Sequence, residues 1–427
     1  MRSATHFHTV GIGAGPANLS LAALFEAVEP DRIALFEGKP GPAWHSGLLF
    51  SGVRMRSMWL KDLVTLADPS HRLSFVNYIV SGGRALAFMN AGYCDAMPRL
   101  EYVRYLAWAA SQMPDIYYGK KIDRVSFGPP FSLYCGDELV ATSEHLAVGV
   151  GSVPRMPEGL DLADRGRMVI ADHLMETLPT LEFSSSSPVA VVGGGQTGAE
   201  CVLELRRQGF TDIRWFGSRP WFAPYDHSPS ANELYTPAYA EFFNSLPAQR
   251  RRELTVEQQL TNDGITPNTL TRLYQDNYED LLRTGRPTVT MFPGRRVTRG
   301  EPEGDGVLLH CDGALGPERH QVRYVVVAAG RCPSPLPFDD DLMTLVDSEL
   351  DVSADYSLRW KFEDTNKIFV QNRAREVHGL QDASVVMLPA RSATIINALF
   401  GRPVYTVPEQ YSATVWESGC VAELPRA

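Results

Sequence analysis

The sequence has little of what would commit it to a membrane, a nucleic acid or a disulfide scaffold. Its 427 positions contain no run of about 18 apolar residues, so no membrane span and no membrane partner is expected. Basic residues are outnumbered, 40 against 50 acidic, and the net charge of −10 disfavours nucleic acid as a partner. Cysteine is sparse and scattered, at Cys94, Cys135, Cys201, Cys311, Cys332 and Cys420, with no C-x-x-C pair. That pattern speaks for a reducing, cytoplasmic setting and against a dithiol redox centre or a zinc site; no metal is expected. The first apolar strand starts within about ten residues of Met1, which leaves no room for a secretory leader. Low-complexity tracts are absent. The length suits roughly two to three domains with ample core.

What is present is a pair of glycine-rich loops, each preceded by an apolar run and followed by a helix-like stretch. The first reads Val10-Gly11-Ile12-Gly13-Ala14-Gly15-Pro16-Ala17-Asn18. A strand near His8–Ile12, a helix from Pro16 to Val28 and a second strand ending at Glu37 make a βαβ start. Gly13 and Gly15 permit a tight turn and close approach of a pyrophosphate to the helix N-terminus at Pro16, and Glu37 is positioned to accept from ribose hydroxyls. Asn18 stands where the third glycine of G-x-G-x-x-G would be, so this helix packs differently.

The second loop reads Val192-Gly193-Gly194-Gly195-Gln196-Thr197-Gly198, between a strand Val189–Val192 and a helix Thr197–Arg207. The strand that follows, Asp212–Phe216, ends in Gly217-Ser218-Arg219 with no acid. A carboxylate there would repel a 2′-phosphate, whereas Ser218 and Arg219 suit one. The expected order is FAD on the first loop and NADPH on the second. Between the loops, Trp44, Trp59, Phe75, Tyr78, Tyr102, Tyr105 and Trp108 are expected to line or cover a flavin, with ordinary core packing as the alternative for each. Glu144–Gly151 reads as a returning strand and glycine turn, and Ser184–Ser187 as a linker. Residues 232–283 read as helical, interrupted by Pro237, Pro247 and Pro267. Val322–Ala329 reads as a buried parallel strand and Ile368–Asn372 as another.

An ordered set of segments then resembles the flavin-dependent N-hydroxylating monooxygenases, the lysine N6- and ornithine N5-hydroxylases of siderophore biosynthesis. The segments are Gly11–Leu19, Trp44-His45-Ser46-Gly47, Leu60–Thr65, Leu73–Tyr78, Arg99–Ala110, Val191–Glu200, Asn232–Pro237, Thr261–Thr266 and His378-Gly379-Leu380. The resemblance implies an α/β fold of two Rossmann-like dinucleotide-binding domains with a helical substrate-domain insertion. The expected division is 1–183 with 340–427 for FAD, 184–339 for NADPH, and 228–285 for the insertion. It implies an NADPH- and O2-dependent oxidoreductase that hydroxylates a terminal primary amine, L-lysine or L-ornithine in type, through a C4a-hydroperoxyflavin. The amine must be neutral to react, although a free alkyl ammonium has a pKa near ~10.4. A homotetramer is common in the family.

Residue by residue, Lys61 matches the lysine that pairs with a substrate α-carboxylate, Asn232 a substrate asparagine, and Asn262 the asparagine beside the reacting amine. Trp44, His45, His378, Gly379 and Leu380 enter as flavin neighbours. Four positions depart from the family pattern. Arg56 replaces a common Gln close to the flavin, Arg331 follows Ala329-Gly330, Val377 stands where Thr is frequent, and Val386 where a substrate-side Ser is frequent. The two valines point to a less polar amine such as putrescine, cadaverine or histamine, while Lys61 points to an amino acid. A Baeyer–Villiger or sulfide-oxidising flavin monooxygenase is a more distant alternative, because its F-x-G-x-x-x-H-type signature is missing. An inactive flavoprotein is the non-enzymatic alternative.

Overall fold

Each glycine loop sits at the C-terminal end of a parallel strand in a sheet of its own. The computed structural model describes residues 5–29, 32–93, 95–160, 166–181, 186–346, 350–406 and 414–416. The strand Thr5–Ile12 lies between Ile33–Glu37 and Glu138–Val148, parallel to both, in a seven-stranded sheet. Ile368–Val370 adds a further parallel strand alongside Glu138–Val148, and Phe131–Cys135 and Arg124–Phe127 extend the sheet antiparallel. The apolar runs are continuous because both sheet faces are covered, and Val10, Ile12, Ala34 and Leu35 are buried. The helix Pro16–Glu26 packs on one face against the C-terminal helix Leu388–Phe400.

The second sheet is wholly parallel, in the order Val289–Pro293, Ile213–Gly217, Val189–Val192, Tyr324–Val327, Met168–Ile170. Its last strand moves the expected boundary. Met168–Ile170 is hydrogen-bonded to Tyr324–Val327, so the segment before residue 183 packs with the second unit rather than the first. The crossover between units is an antiparallel ribbon, Ser152–Pro154 against Arg331–Pro333. The chain is back on the first unit by residue 339, whose amide donates to the Val125 carbonyl. The expected strand Val322–Ala329 is shorter than read. Val322 ends a three-stranded antiparallel sheet, 296–303, 306–313 and 316–322, and Ala328 and Ala329 belong to the turn beyond Val327.

The segment from Pro229 to Thr284 holds five helices among the described residues, and its prolines begin helices rather than break them. Pro237 and Pro267 occupy first-turn positions of Pro237–Ser245 and Pro267–Thr284, and Pro247 caps Ala248–Glu257. A missing N–H costs nothing in that first turn. Ser186 and Ser187 lie in the turn before Val189; Ser184, Ser185, Cys94 and Cys420 fall outside the described residues. The four described cysteines are free thiols. Among the described residues no single helix is long and apolar enough to cross a membrane.

Candidate functional site

Both glycine loops open onto one cleft of about 2650 Å³ between the two units. On its first wall, Gly13 has φ +92°, and a Cβ there would stand 2.5 Å from the Gly149 carbonyl, so only glycine fits. Gly15 has open space where its Cβ would be, at the mouth of an eleven-residue helix whose first residue is Pro16. Glu37 is fixed at the end of its strand by the Ala14 and Lys39 amides, both donating to its carboxylate at 2.9 Å. A bare helix N-terminus beside a clamped carboxylate fits a dinucleotide's pyrophosphate and ribose.

The second wall repeats the geometry. Gly193 has φ +138°, and a Cβ would meet the Ala328 carbonyl at 2.0 Å, while Gly195 faces open space with Asp263 O no nearer than 3.9 Å. Gln196 and Thr197 line the cleft, as do Ser218 and Arg219 at the end of the next strand. Arg219 is held loosely, its Nη2 3.6 Å from an Asp263 carboxylate oxygen. The set fits a second dinucleotide carrying an extra phosphate.

Several expected ligands lie off the cleft wall. Asn18 is buried off the cleft; its Nδ2 donates to the carbonyls of Ile12, Gly13 and Ala147, and its Oδ1 accepts from Gln371. It uses the room that glycine leaves at position 149, where a Cβ would lie 2.6 Å from Asn18 Nδ2. Gly198 is also off the wall, because a Cβ there would strike the Gly193 carbonyl at 2.0 Å. Its role is close packing of helix on loop. His378 is buried behind the wall, stacked on Tyr356 with centroids 4.1 Å apart, and burial pushes its pKa down to about 4. Gly379 shares that setting and Leu380 alone of the three reaches the cleft. Of the seven aromatics only Trp44 lines it. Phe75, Tyr78, Tyr102 and Tyr105 are core residues, with Trp59 and Trp108 packed against them. His45 does line the cleft, in the left-handed region at φ 48°, its pKa lowered to about 4 first by burial and then by Arg331.

The residues expected at the substrate divide. Asn262 and Arg56 are on the cleft wall and touch: Arg56 Nη1 donates to the Asn262 carbonyl at 2.5 Å, with its guanidinium 4.8 Å over the Tyr225 ring. The Asn262 Nδ2 donates to Asp263 at 2.7 Å, which turns its Oδ1 away from that bond. Lys61, Asn232 and Val386 do not line this cleft. Lys61 lies half-buried with its ammonium pKa lowered by that burial. Asn232 is exposed at the end of the short helix Pro229–Asn232 and bonds the His227 carbonyl. Val386 sits in a turn closed by Ser384, and its neighbour Val385 takes the cleft position. Of the other departures, Val377 faces the cleft, and Arg331 is tied to Asp172 and to Ser152.

The sequence reading missed a group of arginines on the wall: Arg251, Arg252, Arg373 and Arg375. Arg251 and Arg252 belong to the charged run Gln249–Leu254 of the insertion, and Arg373 and Arg375 to the C-terminal part of the chain, so the sequence did not signal that they share one wall. Away from the cleft, His8, Glu144 and His145 bring potential metal ligands within 4.8 Å of one another. His145 Nδ1 accepts the Lys367 amide, so the neutral ring keeps its proton on Nε2 and has no lone pair there for an ion.

Residues 5–331 match the family model described as L-lysine 6-monooxygenase/L-ornithine 5-monooxygenase. The chain is 31% identical to the L-lysine N6-monooxygenase of Escherichia coli, covering 96% of this chain and 98% of that protein. It is 25% identical to a putrescine N-hydroxylase of Shewanella oneidensis, over 99% of this chain and 86% of the relative. In fold it resembles an FAD-bound cadaverine monooxygenase of Erwinia amylovora, with TM-score 0.88, 24% identity and coverage of 97% and 99%. A Kutzneria ornithine N-hydroxylase, solved with reduced FAD, NADP+ and L-ornithine, superposes with TM-score 0.86 at 24% identity, covering 92% of this chain and 99% of that one.

Proposed function

The chain belongs to the L-lysine 6-monooxygenase/L-ornithine 5-monooxygenase family, and on that footing we propose that it uses FAD, NADPH and O2 to hydroxylate the terminal amine of a lysine- or ornithine-type substrate. The observation that carries the reading is the single cleft onto which both glycine loops and the Arg56–Asn262 pair open. Gly13, Gly15 and Pro16 hold the FAD pyrophosphate at the helix N-terminus, and Glu37 holds the ribose. Gly193, Gly195, Gln196 and Thr197 cradle NADPH, with Ser218 and Arg219 on its 2′-phosphate. Trp44, His45, Val377 and Leu380 wall the flavin. The FAD unit comprises residues up to the Ser152–Pro154 ribbon together with the chain beyond Arg331–Pro333, and the NADPH unit lies between.

When bound and reduced, the flavin supplies the activation of O2 and the oxygen atom that reaches nitrogen. The protein's own task is to present a neutral amine. Arg56 puts a fixed positive charge at the site, which disfavours a second cation and lowers the pKa of an entering ammonium. The Asn262 Oδ1 accepts one amine N–H and orients the lone pair. A hydroxylamine made this way becomes, once acylated, a hard oxygen ligand for ferric iron, which suits siderophore assembly.

A second reading, a decarboxylated amine such as putrescine, cadaverine or histamine, is favoured by Lys61 lying off the cleft wall and by Val377 on it. An NADPH-consumption assay coupled to hydroxylamine detection, run over lysine, ornithine, putrescine, cadaverine and histamine, separates the two. Hydroxylamine from lysine or ornithine at the highest kcat/KM is the expected result. NADPH oxidation with no hydroxylamine from any of the five would overturn the amine-hydroxylase reading.

A further inference from the structure

Two guanidinium nitrogens on the cleft wall are buried and have no hydrogen-bond partner among the described residues: Arg251 Nε and Arg373 Nη2. Arg251 projects from Ala248–Glu257, with its Nη1 already donating to the Asn244 carbonyl at 2.9 Å. Arg373 lies two residues before the turn Arg375–His378, against which that helix packs. Arg252 and Arg375, both exposed, line the cleft beside them.

The carboxylates nearby do not answer this charge. Glu376 is exposed on the same turn, and Asp382 accepts from the Ala374 amide and faces the buried Arg391 at 4.0 Å. Buried donors left unpaired are costly, and buried charged donors more so, which makes a bound acceptor the economical explanation. The two dinucleotides have their phosphate sites elsewhere, at the glycine loops and at Ser218 and Arg219. The anion left over is one carried by the substrate. This part of the wall continues through Val377 and Leu380, the flavin side of the cleft.

We propose that Arg373 and Arg251 clamp the carboxylate of the substrate, with Arg252 and Arg375 drawing it in, so that the substrate is a carboxylate-bearing amine and not a diamine. The proposal rests on the amine-hydroxylase reading above. A planar guanidinium meets a carboxylate through directed N–H donors in a way an ammonium cannot, which is why these arginines, and not Lys61 off the cleft wall, are the specificity element.

The test uses the FAD-loaded enzyme and its Arg373→Met, Arg251→Met and Arg252→Met/Arg375→Met variants. Steady-state kinetics with L-lysine, L-ornithine, cadaverine and putrescine are paired with calorimetric binding of 6-aminohexanoate, which carries the acid and the terminal amine only. In the wild type the acids are expected to exceed their decarboxylated counterparts in kcat/KM by about tenfold or more. Arg373→Met and Arg251→Met should each raise KM for the acids by about that factor with little change in kcat, leave the diamines alone, and weaken 6-aminohexanoate. The double variant, at two exposed positions, should show the same trend at several-fold. An unchanged preference for acid over diamine, or a wild type that prefers the diamines, overturns the proposal. So does a variant whose defect is a raised NADPH KM or lost FAD, since the anion is then a cofactor phosphate. If no amine is hydroxylated at all, the amine-hydroxylase reading has failed. The clamp is then judged on 6-aminohexanoate binding alone, where equal affinity in wild type and variants rejects it.

Discussion

Gly13 and Gly15 are interchangeable letters in a motif, yet a methyl group would do different things at each. At Gly13 it meets φ +92° and a carbonyl 2.5 Å away; at Gly15 it meets only the cleft. Gly13→Ala should therefore cost roughly 1–2 kcal/mol in backbone strain alone, visible as a lowered Tm of the apoprotein. Gly15→Ala should melt like the wild type and bind FAD about tenfold more weakly, because the methyl occupies the pyrophosphate's place. A Gly15→Ala protein with normal FAD affinity would count against the first loop as the flavin site. Histidines carry the pH dependence. Burial holds the rings of His45, His145 and His378 neutral, with pKa values lowered from 6.5 to about 4. As pH falls through that window the unfolded chain takes up protons before the folded one, so stability drains away between about pH 6.5 and 4. Thermal melts across this range should show Tm falling with acid, and His378→Phe, which keeps the stack on Tyr356, should flatten the slope. At this scale the sequence was legible where chemistry is local. Glu37, Ser218 and Arg219 follow their strands directly and do line the cleft. Lys61 and Asn232 were placed by motif alone, and motif position does not say which wall a side chain reaches.

Among the elements, the first helix is set by Asn18 more than by its caps, since no side chain caps its N-terminus. One amide bonds three carbonyls from the first strand, its loop and Glu138–Val148, and takes a proton donor from Gln371. Asn18→Ala should destabilise the protein by about 1–3 kcal/mol, measured by denaturant melts, since Gln371 and the carbonyls lose their partner without gaining water. A melt matching the wild type would show that the helix is held by its apolar face alone. The same residue marks how far a pattern carries. A third glycine means close packing, and a different residue there gives notice of a substitute tie without naming its partners, one of which lies 353 positions away. Strand–loop–helix units were readable because their signals are contiguous: apolar run, glycines, helix formers. Met168–Ile170 was not, because a three-residue strand announces nothing until its parallel partner Tyr324–Val327 arrives. The three-stranded sheet over 296–322 escaped for a related reason, its solvent-facing charges diluting the alternation.

For the whole molecule, the question is what fixes one cofactor unit against the other across an open cleft. Arg99, on the helix Arg99–Ser111 of the first unit, reaches Glu200 on the helix that follows the second glycine loop, with Nη2 to Oε1 at 2.8 Å and Nη1 to Oε2 at 3.0 Å. Both side chains are well buried, at 14% and 4% exposure. The tie continues. Gln196 donates to Glu200 and accepts from the Thr266 amide, which joins the second loop to the insertion that carries Asn262. Arg99 also bonds the Leu48 carbonyl, beside the Trp44–His45 wall. One polar chain thus links the Trp44–His45 wall, the second glycine loop and the segment that carries Asn262; its members fall in segments the sequence singles out, but the Arg99–Glu200 pairing joins residues 101 positions apart and leaves no sequence signal. Removing one partner of a buried pair strands the other charge, at a cost of about 3–5 kcal/mol, whereas replacing both by apolar groups can be nearly neutral. Glu200→Leu and Arg99→Met should each lower Tm markedly, and the double variant should recover most of the loss. Recovery of stability need not bring back the register between units. The double variant should therefore still oxidise NADPH while yielding less hydroxylamine per NADPH consumed. If yield per NADPH returned along with Tm, the pair would be a stability element only, and the alignment of the two nucleotides would have to come from the apolar contacts around Leu48 and Phe50 that pack into the second unit's core.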